Sequence, residues 1–367
     1  MSFTFSARAP VIAQAADTFH ERLDVEAETY TISARAGFQK ASFTLRGSVQ
    51  YLQAWFRAGL VRDISFTAPD SRLAWQGYVN QMTLTIGASR RTRSLSNLAN
   101  RIYYVYALLD TATTPPTAGA QTTSTSNDTD SQAIYGIKTD TVSAGEKTAA
   151  AATTDAAMLL FQNSQVWEDG SDNFKGGGEP SLRIDMLGYS QMMDWFNYSN
   201  AGAGTVDRDA LIKLIAAADP NSILSTDYTN VDSNTDEVEQ YRDGNRSGWS
   251  LINEVGRAGP NSARWVAGVY EGRKLHYKQA EGLDSDGDPL TANKHSIISR
   301  SLYDAGERFF DQSGRELQVW QVRPDRLVRT TGLSRDPQYI EQVTYSAPVG
   351  LEIRSTDANP LRGVVIV

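Results

Sequence analysis

Asp284, Asp286 and Asp288 are the residues of this chain best spaced to do chemistry, three carboxylates at alternate positions in Asp284-Ser285-Asp286-Gly287-Asp288. Such a run can converge on one Ca²⁺, but an EF-hand loop needs Gly at its sixth position and a bidentate Glu at its twelfth. Here Pro289 takes the sixth position, and Lys294, His295 and Ser296 surround the twelfth. A solvated turn between hairpin strands is therefore expected, and no metal is assigned. His20, His276 and His295 are scattered, with none in a His-x-x-x-His or His-Glu-x-x-His spacing. His276, between Leu275 and Tyr277, reads as part of a strand.

Other constellations fall short for equally specific reasons. Gly176-Gly177-Gly178 after Lys175 has the flexibility of a phosphate-cradling loop, yet Glu179-Pro180 follows where a Gly-Lys-Ser/Thr ending would be needed. No Gly-x-Ser-x-Gly elbow supports a Ser-His-Asp triad. Glu237 with Glu239, or Asp311 with Glu316, supplies the two carboxyls a glycosidase uses, but sequence does not measure their separation, and charge runs ordinarily form solvated faces. Arg90-Arg91-Thr92-Arg93 is the one dense basic cluster, and it lacks the interleaved aromatics that would stack bases, so a salt-bridged or exposed loop is expected. No catalytic, cofactor-binding or metal residue is assigned, and a role through surfaces is expected in place of enzymatic chemistry.

The elements that would position any such site are mostly strands. Leu23 to Ser33, Ala41 to Gly47, Leu60 to Gly87 and Ile102 to Leu109 carry alternating apolar, β-branched and aromatic residues. Gly77, inside the long run from Leu73, predicts a bulge or sharp bend. Ser48 to Ala58 places Leu52, Trp55 and Phe56 at helical spacing before Gly59. Arg90 to Arg101 reads as a short helix or loop. Asp110 to Ser131 is almost wholly Thr, Ser, Ala, Pro, Gly, Asn and Asp and predicts an exposed loop or linker.

Beyond it, Glu146 to Gln162 reads as a helix and Ser181 to Gly188 as a strand, with Gln191 to Tyr198 continuing a second strand-helix unit through Met192, Met193, Trp195 and Phe196. Asp207 to Ala218 and Ser247 to Gly256 are predicted helices. Arg264 to Tyr277 is a predicted hairpin turning at Glu271-Gly272. From Glu316 onward short strands, broken by Pro324, Gly332, Pro337, Gly350 and Pro360, suit the closing of a sheet begun earlier, with Gly363 to Val367 as an edge or closing strand.

The fold class expected is α+β, mainly β: two related β-barrel-like domains with short helices and a helical insertion. The expected division is a first barrel-like domain over 1–110, a Thr/Ser-rich loop or linker over 111–131, a second strand-helix unit over 132–204, a mainly helical insertion over 205–262, and a β-rich part over 263–367 that completes the second barrel. The 367 residues suffice for two or three cores. With no Cys there are no disulfides or zinc-thiolate sites. The formal net charge of -8 disfavours general attraction to nucleic acid or anionic membrane. Met1 to Pro10 lacks signal-peptide character, and no apolar run approaches the roughly 20 residues of a membrane span, so a soluble chain made in the host cytoplasm is expected.

One resemblance adds to this. Trp75-Gln76-Gly77-Tyr78-Val79, Thr83 to Gly87, and Arg93-Ser94-Leu95-Ser96-Asn97-Leu98-Ala99-Asn100-Arg101 leading into Tyr103-Tyr104-Val105-Tyr106 resemble tail structural proteins of tailed bacteriophages. Ser131-Gln132-Ala133-Ile134-Tyr135-Gly136 with the alanine-rich helix after it matches a recurrent pattern in those tail proteins, and the Trp249 helix before Trp265 to Tyr277 looks like part of baseplate hub proteins. The resemblance spans roughly Leu73 to Tyr277. It implies a virion protein at or beside a ring that joins tail tube to tip, a homo-oligomer, most often a trimer, with other tail proteins as partners. DNA would pass through its channel without sequence-specific binding. A hexameric distal tail or tail tube protein is the alternative within this class, and a carbohydrate-binding or carbohydrate-cleaving β-rich protein is the alternative outside it.

Overall fold

A computed structural model describes residues 3–10, 21–112, 115, 117–172, 178–257, 265–280, 297–302, 306–311, 313–324, 326–330, 338–347 and 350–357. The first stretch contains β1 (Thr4–Pro10), β2 (Glu21–Leu23), β3 (Val25–Ser33), β4 (Gly37–Arg46), α1 (Val49–Ala58), β5 (Arg62–Thr67), β6 (Leu73–Gly87) and β7 (Ser89–Ser94). A smaller unit follows: β8 (Arg101–Asp110), β9 (Thr117–Asn127), α2 (Thr129–Tyr135), β10 (Thr139–Lys147) and α3 (Ala149–Asn163). The chain continues through β11 (Glu168–Asp172), β12 (Gly178–Leu187), a 3-10 segment at Tyr189–Trp195, β13 (Asn197–Asn200), β14 (Thr205–Asp207), α4 (Arg208–Ala217), β15 (Glu237–Glu239), β16 (Arg242–Ser247) and α5 (Gly248–Val255). It ends with β17 (Trp265–Val269), β18 (Leu275–Gln279), β19 (Ile297–Leu302), β20 (Gly306–Phe310), β21 (Glu316–Leu317), β22 (Leu327–Thr330), β23 (Gln338–Ser346) and β24 (Gly350–Asp357). The α+β, mainly β class holds.

The main ladder runs β2, β1, β5, β6, β12, β4, β3, antiparallel at every step. Its first and last strands are separated in sequence by Asp24 alone. The sheet thus winds back to where it began, while no hydrogen-bonded ladder joins β2 to β3 among the described residues. The barrel-like expectation is corrected to this extent: the sheet curls without a closing ladder. β12, the strand expected to open a second unit, lies inside this first sheet, with Leu182 opposite both Leu45 and Leu84 and Ile184 opposite Phe43 and Met82. In that position Leu182 and Ile184 are fully buried in the core that β4 and β6 share.

The core of this sheet is aromatic. Trp75, Tyr30, Tyr78, Phe43 and Phe66 are among its largest fully buried side chains, and Phe66 lies 4.6 Å from Phe5 and 5.4 Å from Trp75, ring centre to ring centre. α1 packs its Leu52, Trp55 and Phe56 against it, and Ser48 caps the helix by accepting from the Tyr51 N–H at 3.3 Å. Gly77 allows close approach: a Cβ there would sit 2.2 Å from the Leu187 carbonyl oxygen and 2.5 Å from the Trp75 ring. The expected bulge falls elsewhere on β6, in the register slip between Val79 and Gln81 opposite β12.

The C-terminal strands extend the same sheet, because β23 pairs with β3 and sets Tyr345 opposite Tyr30. Those rings stack at 5.1 Å. The hairpin of β17 and β18 forms as predicted and meets β4 where Val269 bridges Gly37. Gly37 has φ +72°, and a Cβ on it would lie 2.1 Å from the Val269 carbonyl oxygen. Both predicted helices of the insertion are present as α4 and α5, with short strand pairs β14–β15 and β13–β16 beside them.

Two loop expectations are corrected. Arg90 to Ser94 belongs to strand β7, held between β6 and β11. Half of the Thr/Ser-rich segment is strand β9, antiparallel to β8, whose other neighbour β10 is parallel. Backbone pairing orders β9 although its side chains bury almost nothing.

Candidate interaction surfaces and a cationic pocket

α3 begins at Thr148, whose hydroxyl accepts from the Ala151 N–H at 3.3 Å. Ala152 and Ala156, one turn apart, are fully buried with Ile102, Tyr104 and Tyr106 of β8. Tyr104 donates its hydroxyl to Asp155 at 3.0 Å, and Lys147 pairs with the same carboxylate at 2.9 Å. Side chains this small bring the helix close to the sheet, with Leu159 and Leu160 partly buried against it and Met158 and Phe161 left outside. Phe161 is 79 % exposed and Met158 57 %, along a shallow groove with Thr153, Thr154, Ala157 and Gln162. Trp167, 63 % exposed, is held beside the end of α3 by its Nε1–H donated to the Gln162 carbonyl at 3.0 Å. Large apolar groups gathered at one place on a surface mark a contact site more often than chance exposure does.

The sheet under α3 is open at both edges. β9 pairs with β8 alone and β10 with β8 alone among the described residues. β9 runs Thr117–Asn127 with no proline and no charge, without the lysine or proline that natural edge strands use to repel further pairing.

A node of hydrogen bonds ties this unit to the main sheet. Asn100 is fully buried; its Nδ2 donates to the Gly136 carbonyl at 2.7 Å and to Ser131 Oγ at 3.3 Å, and its Oδ1 accepts from the Lys138 N–H at 2.9 Å. Arg93 donates to the carbonyls of Phe56 and Arg57 at 2.9 and 2.6 Å. Lys138 donates to those of Leu95 and Ser96 at 2.6 and 2.9 Å. Burial pushes the Lys138 ammonium down to about 8.

The residues singled out for chemistry are not gathered into one site. Arg91 pairs with Glu168 at 3.6 Å and Arg93 serves α1, so these members of the basic run act inside the fold. Glu237 accepts from Thr205 at 2.8 Å. Asp311 accepts from the N–H groups of Ser313 and Arg315, while Glu316 pairs with Arg308 at 3.4 Å. Among the described residues no three His, Asp or Glu side chains are grouped to hold a metal. His20, His295, Asp284, Asp286, Asp288, Lys175, Gly176, Gly177 and the segment Gly363 to Val367 lie outside the described residues.

His276 does line a cavity, one of about 280 Å³ shared with Phe38, Leu73, Tyr270, Glu271, Lys278, Arg323, Pro324 and Arg326. Its ring stands 4.8 Å from that of Tyr270, which meets Phe38 edge-on at 5.6 Å. Burial, followed by the charges of Lys278 and Lys274, pushes the imidazole down to about 4. Arg323 donates to the Ala74 carbonyl at 2.9 Å and to that of Leu73 at 2.7 Å, with its guanidinium 5.8 Å from the Phe38 ring. Sequence reasoning missed Arg323, because its partners are backbone carbonyls some 250 positions away and no local pattern announces them.

No family model matches the sequence, and no curated protein is significantly similar to it. Solved structures similar over nearly the whole length include two tail proteins. The 43 kDa tail protein of prophage MuSo2 from Shewanella oneidensis has a TM-score of 0.44 and 9 % identity, over 97 % of each chain. The tail protein from Neisseria meningitidis MC58 has a TM-score of 0.42 and 8 % identity, over 97 % of this chain and 96 % of that one. Among the described residues no helix is long and apolar enough to cross a membrane.

Proposed function

We propose that this chain is a structural protein of a bacteriophage tail, the class its motifs resemble, and that it works by assembling with copies of itself at or beside the hub. Copies arranged as a closed ring bury edges and apolar faces that a single copy leaves open. The observation that carries this reading is the pairing of an uncharged open strand, β9, with the exposed Met158 and Phe161 of α3 on one small layer. A second copy is the simplest occupant, because among the described residues β9 and β10 each pair with no strand but β8 and stand at opposite sides of the same three-stranded sheet. The arrangement implied is a ring, most often of three, whose neighbours are other tail proteins and whose acidic chain, at net charge -8, leaves DNA free to slide past.

Light scattering on the purified chain, coupled to size exclusion, tests this directly. At micromolar concentration the native chain is expected to run as a species of several copies. The double variant Met158→Lys, Phe161→Asp is expected to run as a monomer, with stability of the single copy within about 0.5 kcal/mol per exposed position. A native chain that stays monomeric, or a variant that assembles as well as the native chain does, overturns the assembly surface.

A further inference from the structure

The cavity beside His276 gathers cations although the chain as a whole is acidic. In a chain of net charge -8, its lining among the described residues brings Lys278, Arg323 and Arg326 together against one carboxylate, that of Glu271. Arg323 is the informative member. A guanidinium carries five N–H donors, and the hydrogen bonds of Arg323 go to two carbonyl oxygens; no carboxylate of the described residues forms an ion pair with it. A largely buried cation ordinarily keeps an anionic partner, because carbonyl dipoles and an aromatic face recover only part of its lost hydration. The remaining walls are flat and apolar: Phe38, Tyr270 and Pro324. Lys278 and Arg326 have further interactions of their own, so the argument rests on Arg323.

We propose that this cavity is a binding site for an oxyanion, a carboxylate carried on a small flat apolar body, received by Arg323 against the wall that Phe38 and Tyr270 form. The volume admits a single-ring ligand and is below that of most drug-sized sites. Charge-assisted hydrogen bonds to a guanidinium give the selectivity for an oxyanion over a neutral group of the same shape. His276 sits at the edge of the site as a neutral imidazole and reports its occupancy: the positive charges of Lys274, Lys278, Arg323 and Arg326 oppose its protonation, Glu271 favours it, and a bound anion would favour it further. These residues are distinct from the proposed assembly surface on α3 and β9, so either proposal can fail without the other.

The test titrates the full-length chain with benzoate, with benzamide as its neutral counterpart, and with inorganic phosphate, read by calorimetry. The pH titration of His276 is followed by NMR, its signal assigned by loss in His276→Asn. Benzoate is expected to bind saturably and benzamide at least roughly tenfold more weakly, a discrimination of about 1.4 kcal/mol. His276 is expected to titrate at higher pH in saturating benzoate. Phosphate binding in competition with benzoate extends the site to compact oxyanions, whereas benzoate without phosphate restricts it to carboxylates. Arg323→Met is expected to weaken benzoate by roughly tenfold or more. Equal binding of benzamide and benzoate, no binding of either anion, or unchanged affinity in Arg323→Met overturns the proposal. Should Arg323→Met fail to fold, the His276 titration in the native chain decides: a midpoint unmoved by saturating benzoate overturns it.

Discussion

Trp75 shows how much this fold rests on single rings. It is fully buried, touches Phe66 and Phe38, and has no hydrogen-bond partner for its indole N–H. Packing alone fixes it, so Trp75→Ala is expected to cost about 3 to 5 kcal/mol in urea unfolding. A loss below about 1 kcal/mol would show that the ring is not a core residue. His276 offers a different measurement. Its folded-state value of about 4 lies below the 6.5 of an unfolded chain, so the unfolded state takes the proton first as the pH falls. Stability from this residue is complete above about pH 6.5 and drains away between there and about pH 4. Going from about pH 7 to about pH 5, the native chain is expected to lose more stability than His276→Gln, because Gln does not titrate; equal losses would contradict the assigned environment.

At the scale of elements, the helices were the most legible part of the sequence. Ser48, Leu52, Trp55 and Phe56 announce α1, and Asp207 and Ser247 stand at the starts of α4 and α5, where Ser247 caps its helix by accepting from the Ser250 N–H. The motif positions Asn100, Ser131 and Gly136 were legible as a pattern, and the structure gives them a cause, since all three meet in one buried hydrogen-bonded node. β9 was not legible because composition measures side-chain burial, whereas a strand paired through its backbone needs none. β7 was hidden for a related reason: its arginines are spent on carbonyls of α1 and on Glu168, partners that no sequence window contains. Gly37 lies in the sequence between the strands that alternation marks at Leu23 to Ser33 and Ala41 to Gly47. The structure places its missing side chain against Val269 at a positive φ, and Gly37→Ala is expected to destabilise the chain by more than the roughly 1 kcal/mol of an ordinary Gly to Ala change. Thermal unfolding checks this, and an unchanged midpoint would mean that the β4–β17 junction gives way freely.

For the whole molecule, the mainly β class was readable from alternation, while the path of the main sheet was not. The likeness between Ser181 to Gly188 and the earlier strand-helix unit suggested a repeat, yet β12 completes the first sheet by lying between β4 and β6. Local patterns give an element its type, but the choice of neighbours is made by apolar faces brought from far along the chain.

That long return of β12 has a consequence for synthesis on the ribosome. While the first hundred or so residues are emerging, β4 and β6 have no strand between them, and the faces around Phe43, Leu45, Met82 and Leu84 stay uncovered until the segment ending at Leu187 has been made. The nascent chain thus carries a cleft in its principal sheet from the completion of β6 at Gly87 until Leu187 is made, roughly a quarter of translation, the interval in which chaperone binding or mispairing with a neighbouring nascent copy would act on it.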